Sequence, residues 1–226
     1  MGAAAMPTAR EIAFWVGRYF ADHRCRTADV LTGPKRETWF SAETFVALNR
    51  AITPHDEFPD FPKFSCWGEE QYKTVFEKLK AGCPAVGDVK RKPDVVCYNT
   101  EEGPKAVAAV IEIKLVLSDE NANSCLGELK EQLSNAALMF PGADIVGIIF
   151  FATAPFLTPG TLRKASAQLR KGIEKTFPVE EGFGVIPDFE LRPVFELVPT
   201  SFNYPKMNVC LSMAVLHVKS TSVAHP

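Results

Sequence analysis

Three charged residues in or beside two apolar segments have side chains and a spacing that suit catalysis: Asp94, Glu112 and Lys114. In VIEIKLVL, residues 110–117, Glu112 and Lys114 lie two positions apart within a run that is typical of a buried strand. Residues i and i+2 of a strand point to the same face, so both charges face the same way. Because burying an unpaired charge costs several kcal/mol, this face must reach a cleft or meet compensating partners.

Asp94 is the partner that the sequence predicts. It opens a strand in KPDVVCY, which is followed by the turn NTEEGP and by a second, antiparallel strand in KAVAAVIEIKLVL. In a twisted pair the start of the first strand lies near the later part of the second, so we expect Asp94 to meet Glu112 at one edge of the sheet. Two carboxylates beside a lysine suit Mg²⁺ (or Mn²⁺), which binds one or two carboxylates together with water and phosphate oxygens. The ion would activate water, and the ammonium of Lys114 would orient that water or stabilise the transition state of phosphodiester hydrolysis.

The motif PD at residues 93–94 followed by EIK at residues 112–114 resembles that of the PD-(D/E)XK nuclease (restriction endonuclease-like) superfamily. The element order also matches over residues 36–155, with a helix before the hairpin and a helix and a strand after it. The resemblance implies a metal-dependent endonuclease that hydrolyses phosphodiester bonds in DNA, in restriction, defence or DNA processing. It assigns Asp94, Glu112 and the carbonyl of Ile113 to the metal and Lys114 to the water. Because cutting two strands needs two active sites, it also points to a possible homodimer.

The superfamily adds side chains from the two flanking helices. A glutamate from the helix before the hairpin would be Glu43, which we prefer, or one of the pair at residues 69–70. A side chain from the helix after the EIK strand would be Gln132 or Lys130. For each of these residues the alternative interpretation is a solvated surface side chain.

Two basic clusters could contact a nucleic acid. Lys90, Arg91 and Lys92 come directly before Pro93 and could hold a phosphate beside the metal. Lys164 and Lys171 share one face of a predicted helix over residues 161–175 and could contact a DNA backbone. The alternative for both clusters is a plain solvated surface.

Bulk composition constrains the partners and the compartment. The chain has 226 residues and a formal net charge of -2, so a nucleic-acid partner must be held by local patches and not by a global field. The six cysteines form no CxxC pair, which predicts reduced thiols and argues against a zinc site. Arg10, Glu11 and Arg18 interrupt the N-terminal apolar residues, and no run of 18 apolar residues occurs, so we expect a cytoplasmic protein with no membrane partner.

Apolar periodicity predicts the elements that position these residues. Helices are predicted behind Thr8 as N-cap, from Ser41 as a second capping residue, and in EEQYKTVFEKLKAG, CLGELKEQLSNAALMF and TPGTLRKASAQLRKGIEKTF. The proline-rich residues 53–66 are predicted as a loop. DIVGIIFFATA is predicted as a central strand, with two more strands in PDFELRPVFELV and MNVCLSMAVLHV.

The predicted class is α/β (α+β), with a restriction endonuclease-like core in which a central mixed sheet is flanked by helices. We expect a single domain over residues 1–226. It comprises an N-terminal helical extension (1–35), the core (36–155) and a C-terminal part that extends the core (156–226).

Two other interpretations of the same residues stay open. The chain could keep the nuclease fold as a catalytically inactive binding or assembly module. Alternatively, Glu112 and Lys114 could form a structural ion pair in an unrelated α/β protein.

Overall fold

In the described part of the chain a mixed sheet of seven strands has helices on both faces, which confirms the predicted α/β (α+β) class. The computed structural model describes residues 8–31, 36–52, 64–68, 71–79, 82, 87–99, 106–117, 119–152, 159–200 and 208–218. Its helices are α1 (Ala9–Asp22), α2 (Arg24–Leu31), α3 (Arg36–Ile52), α4 (Tyr72–Leu79), α5 (Asp119–Met139) and α6 (Pro159–Thr176). Its strands are β1 (Phe64–Gly68), β2 (Val95–Asn99), β3 (Ala106–Val116), β4 (Asp144–Ala152), β5 (Phe183–Val185), β6 (Arg192–Pro199) and β7 (Asn208–Val218).

The strand order is β1-β2-β3-β4-β7-β5, and β6 also pairs with β7. β3 and β4 are parallel and are joined by the crossover helix α5, whereas the other described pairs are antiparallel. The predicted hairpin of β2 and β3 is confirmed, with Val95 opposite Ile111. β4 lies between β3 and β7, which confirms it as a central strand and explains its unbroken apolar sequence.

Two apolar layers cover the sheet. On one face α3 packs on β3, α1 and α2 pack on β6 and β7, and the rings of Phe20, Phe40 and Phe150 lie with their centroids 4.6–4.9 Å apart. On the other face α5 packs on β3 and β4, α6 packs on α5, and α4 brings Tyr72 to Glu112 of β3. Glu112 therefore lies in the sheet face that is covered by α4 and α5.

A glycine lets α5 approach the sheet next to Glu112. Gly147 of β4 lies opposite Glu112 in the register, and a Cβ atom at Gly147 would come within 2.9 Å of Cδ1 of Leu133. Since any larger residue would push Leu133 away, this glycine sets how close α5 packs. It thereby also places Gln132, the neighbour of Leu133, near the sheet.

Some predicted element boundaries are confirmed and others differ. Thr8 caps α1, as predicted, and the cap is a capping box with Glu11. α3, however, begins at Arg36, so Ser41 is not an N-cap but lies inside the helix, where its Oγ is 3.2 Å from the Glu37 carbonyl oxygen. β1 begins within the predicted loop over residues 53–66, because Phe64 and its successors pair with β2 despite the prolines before them. The helix α2 and the short strand β5 were not predicted.

Candidate active site

The site lies where β3 runs beyond β2. β2 begins opposite Ile111, so the residues of β3 after Ile111 have β4 as their described neighbour on one side only. On the open side the N–H of Ile113 donates to Oδ2 of Asp94 at 2.7 Å, and the hydroxyl of Ser41 donates to Oδ1 at 2.8 Å. Asp94 is thus held between β3 and α3. Burial raises the pKa of its carboxyl, although the hydrogen bonds from Ile113 and Ser41 and the charge of Lys114 oppose this.

Glu112 is a buried carboxyl with one unpartnered oxygen. Its exposed fraction is 2%, and the hydroxyl of Tyr72 donates to Oε1 at 3.1 Å. Oε2 is buried and has no hydrogen-bond partner among the described residues. Burial, together with the charge of Asp94, raises the pKa of Glu112 to about 8. A buried oxygen without a partner is costly in a native protein, so this position calls for a proton or a cation.

Lys114 connects the helices on the two faces of the sheet. Its Nζ lies 3.0 Å from Oε1 of Glu37 in α3 and 3.3 Å from Oε2 of Glu128 in α5. Burial lowers the pKa of Lys114, but the hydrogen bonds and charges of the two glutamates outweigh burial and leave the pKa raised. The ammonium is therefore charged and fixed beside Glu112.

A cavity of about 230 Å³ opens next to Glu112 and contains both acidic and basic groups. Oε1 of Gln132, like Oε2 of Glu112, is buried and has no partner among the described residues. The guanidinium of Arg91 reaches the cavity from one side and contacts Oε1 of Glu131 at 2.5 Å. The cavity is lined by Arg91, Lys92, Glu112, Glu128, Glu131 and Gln132.

The residues at this cavity supply two of the oxygen ligands that a hydrated magnesium or manganese ion could use, but not a full set of charged ligands. Within the described ranges, no group of three His, Cys, Asp or Glu side chains is placed to hold a metal. Glu112 and Gln132 nevertheless present two unpartnered oxygens at one cavity, and Mg²⁺ needs few protein ligands because it keeps several waters. Both oxygens of Asp94 already accept hydrogen bonds. The predicted use of the Ile113 carbonyl stays a prediction, since the contact of Ile113 with Asp94 is through its N–H.

The preferred helix glutamate, Glu43, does not join this cluster. The hydroxyl of Tyr19 donates to one of its oxygens, and Arg26 lies 2.7 Å from the other. Residues 37 and 41 share a helical face because they are four positions apart, whereas residue 43 points about 200° away from residue 41. The structure consequently brings Glu37, and not Glu43, to the site. Glu69 and Glu70 lie outside the described residues.

The basic residues divide into two groups. Lys92 and Arg91 line the cavity, and Lys90 is exposed next to them. Lys164 and Lys171 are exposed on α6 and do not line it. Lys130 forms an ion pair with Glu181 at 2.6 Å, so of the two candidates on α5 it is Gln132 that reaches the cavity.

Sequence reasoning missed four side chains that hold the site: Glu37, Ser41, Tyr72 and Glu128. The spacing of Glu37 and Ser41 was a usable signal once α3 was known to start at Arg36. The contact of Tyr72 with Glu112 left no signal, because it depends on how α4 packs on the sheet.

Comparison with protein-family models, with curated proteins and with solved structures found no significant match for this chain. The function must therefore be inferred from the Glu112 site and from the PD…EIK motif. Within the described part of the chain, no helix is both long and apolar enough to span a membrane.

Proposed function

We propose that this protein is a Mg²⁺- or Mn²⁺-dependent endonuclease that hydrolyses phosphodiester bonds in DNA. The observation that carries the proposal is the state of Glu112, a buried carboxyl with a raised pKa and an unpartnered oxygen at a polar cavity. A purely structural carboxylate would be expected to have both oxygens satisfied. A helix, α3, precedes the β2–β3 hairpin and α5 and β4 follow it, in the order that the PD…EIK resemblance implies, with β1 and α4 between α3 and β2.

Each side chain then has a role that follows from its contacts. Glu112 and Gln132 would hold the ion, with Asp94 beside them, and the bound ion would supply Lewis-acid stabilisation of phosphate charge. Lys114 is fixed and charged, so it can orient an attacking water and stabilise developing negative charge. Glu37 keeps that ammonium in place. Arg91 and Lys92 at the cavity rim would hold the phosphate that precedes or follows the scissile bond.

The preference for DNA and the role in restriction, defence or DNA processing follow from the resemblance of the motif. The net charge of -2 is compatible with such a partner because the basic residues 90–92 concentrate at the site. A homodimer and a cytoplasmic location remain predictions of the same kind.

The test is a plasmid-nicking assay with Mg²⁺, with Mn²⁺ and with EDTA. We expect wild-type protein to convert supercoiled plasmid to open-circular or linear DNA with a divalent ion and not with EDTA. Lys114→Ala should reduce the rate at least a hundredfold. Lys73→Ala is the matched control, because Lys73 is an exposed lysine whose partner, Glu77, lies outside the site. Cutting that survives EDTA, or that is equal in wild type and Lys114→Ala, would contradict the proposed mechanism.

One observation favours a second function, a nuclease-fold module that binds nucleic acid without cutting it. Both oxygens of Asp94 and the ammonium of Lys114 are already engaged by protein groups. A divalent ion or a phosphate would have to compete with these contacts. DNA binding through Lys92 without any metal-dependent cutting would favour this module over the enzyme.

A further inference from the structure

A second cavity, of about 190 Å³, lies between α1 and β6 on the sheet face opposite Glu112. Its floor consists of Met213 of β7 and Phe189, and α1 and β6 form the walls. Arg18 and Arg192 line it from the two sides, and no acidic side chain of the described residues does so. The cavity therefore combines apolar side chains with two guanidinium groups, of which that of Arg18 also lies 3.8 Å from Oδ2 of Asp22 on the same helix.

Gly17, in the middle of α1, lets the helix backbone lie close to Met213 and Phe189 on the floor of the cavity. A Cβ atom at Gly17 would lie 3.1 Å from Cε of Met213 and 3.9 Å from Cε1 of Phe189. Glycine inside a helix costs about 1 kcal/mol relative to alanine. Gly17 therefore lets α1 lie close to Met213 at the expense of helix stability, and it adds no side chain to the cavity that it lines.

A strained segment holds Phe189 on the floor of the cavity. Asp188 and Leu191 both adopt left-handed backbone conformations, with φ of 71° and 59°. The strain is sustained because Arg10 of α1 contacts Asp188 at 2.9 Å and the N–H of Val215 donates to the Phe189 carbonyl. The result is a fixed aromatic surface, over which the guanidinium of Arg192 lies 5.8 Å from the ring centroid.

We propose that this cavity binds a small organic anion with one aromatic ring and one anionic head group, such as a carboxylate or a phosphate. Phe189 and Met213 would contact the ring, and Arg18 and Arg192 would bind the head group. The size fits, because a cavity of about 150 Å³ lined by apolar side chains can hold benzene. Phe14, which is 55% exposed at the edge of the cavity, would cover the ring on its open side.

A matched pair of probes tests the proposal. Binding of para-trifluoromethyl benzoate and of para-trifluoromethyl benzylammonium is measured by fluorine NMR line broadening and by calorimetry. We expect the benzoate to bind with a Kd of roughly 0.1–1 mM, as a compact ligand of this size can. The ammonium has the same ring and the opposite charge, and it should bind at least tenfold more weakly.

Three variants locate the binding. The double variant Arg18→Gln/Arg192→Gln should lose at least tenfold in benzoate affinity, and Gly17→Leu should abolish binding by filling the space. Arg24→Gln is the control, because Arg24 is an exposed arginine of α2 that does not line the cavity. Circular dichroism checks that each variant is folded. If Gly17→Leu does not fold, the benzoate affinity of the double arginine variant alone tests whether the ligand binds in this cavity.

Two results would overturn the proposal. One is no benzoate binding at millimolar concentration, and the other is equal binding by the ammonium probe or by the double variant. The cavity does not share any residue with the Glu112 site, so Glu112→Gln should bind benzoate like wild type. The two proposals therefore fail or succeed independently.

Discussion

The carboxylate of Asp94 accepts the N–H of Ile113 at 2.7 Å, so the acid that precedes β2 is tied to the residue that follows Glu112 in β3. The strand ladder ends at Val95 and Ile111, and Asp94 takes over the next backbone donor of β3. This contact keeps the two acids of the motif close, and the charge of Asp94 contributes to the raised pKa of Glu112.

Replacing Ser41 should remove one of the two hydrogen bonds that hold the carboxylate of Asp94 and should lower the stability of the protein. Ser41→Ala removes the hydroxyl that donates to Oδ1 of Asp94 at 2.8 Å. A buried acceptor left without its donor costs about 1–3 kcal/mol, which urea unfolding would measure. Ser134→Ala, on the exposed side of α5, should change the free energy of unfolding by less than about 0.5 kcal/mol. Equal effects of the two substitutions would argue against a role for Ser41 in holding Asp94.

Stability should fall with rising pH because of Glu112. The pKa of Glu112 is about 8 in the folded protein against 4.5 for the ordinary group, so the folded state binds the proton more tightly. This contribution is fully present below about pH 4.5 and is lost as the pH rises through 8. Between pH 6 and pH 8.5, wild type should therefore lose roughly 2–3 kcal/mol more than Glu112→Gln in urea unfolding. Parallel pH profiles for the two proteins would show that Glu112 has no raised pKa.

A divalent ion should stabilise the protein more at high pH. If Mn²⁺ binds at Glu112, it displaces the proton, and the proton competes better at pH 6 than at pH 8. At an ion concentration of 100 Kd and pH 8, the linkage amounts to about 2.7 kcal/mol, which raises the Tm by roughly 5–10 °C. Glu112→Gln should show little shift, and Gln132→Ala should show a reduced one. A shift that is the same in wild type and Glu112→Gln would place the ion elsewhere.

Substitutions of Glu37 and Glu43 should have opposite effects, one on the nicking rate and the other on the free energy of unfolding. Glu37→Gln removes one of the two carboxylates that hold Lys114, so we expect a reduced nicking rate with nearly unchanged stability, because Glu37 is half-exposed. Glu43→Gln should cost about 1–3 kcal/mol of stability, since one of the two carboxylate oxygens becomes an NH2 group and either Tyr19 or Arg26 loses its acceptor, and it should leave the nicking rate per folded molecule unchanged. A reduced nicking rate in Glu43→Gln together with an unchanged rate in Glu37→Gln would show that Glu43, and not Glu37, is the helix glutamate of the site.

The two basic clusters should differ in DNA binding. Lys92 lines the cavity beside Glu112, whereas Lys171 lies on α6 away from it. In EDTA, Lys92→Gln should weaken binding of a short duplex and reduce the slope of log K against log salt by about 1. Lys171→Gln should leave both quantities unchanged, as measured by fluorescence anisotropy. A larger loss of DNA affinity in Lys171→Gln than in Lys92→Gln would indicate that DNA binds along α6 and not at the cavity.

Much of the scaffold could be predicted because its signals are local. The apolar runs of β3 and β4 and the N-cap at Thr8 each appear in a short stretch of sequence, from the types of a few neighbouring residues. The hairpin also predicted that Asp94 would lie across from Glu112. β1 was missed because prolines precede it and its pairing with β2 is with a distant segment.

By itself, then, the sequence determined the class of the fold, the β2–β3 pairing and the three charged residues that share one end of it. The tertiary structure alone decided that α3 presents Glu37 and Ser41, that Tyr72 reaches Glu112, and that α1 and β6 leave a cavity between them. The physical reason is distance along the chain. Periodicity fixes which face of an element is apolar, but the rotation of one element against another is set by packing between residues that are tens of positions apart.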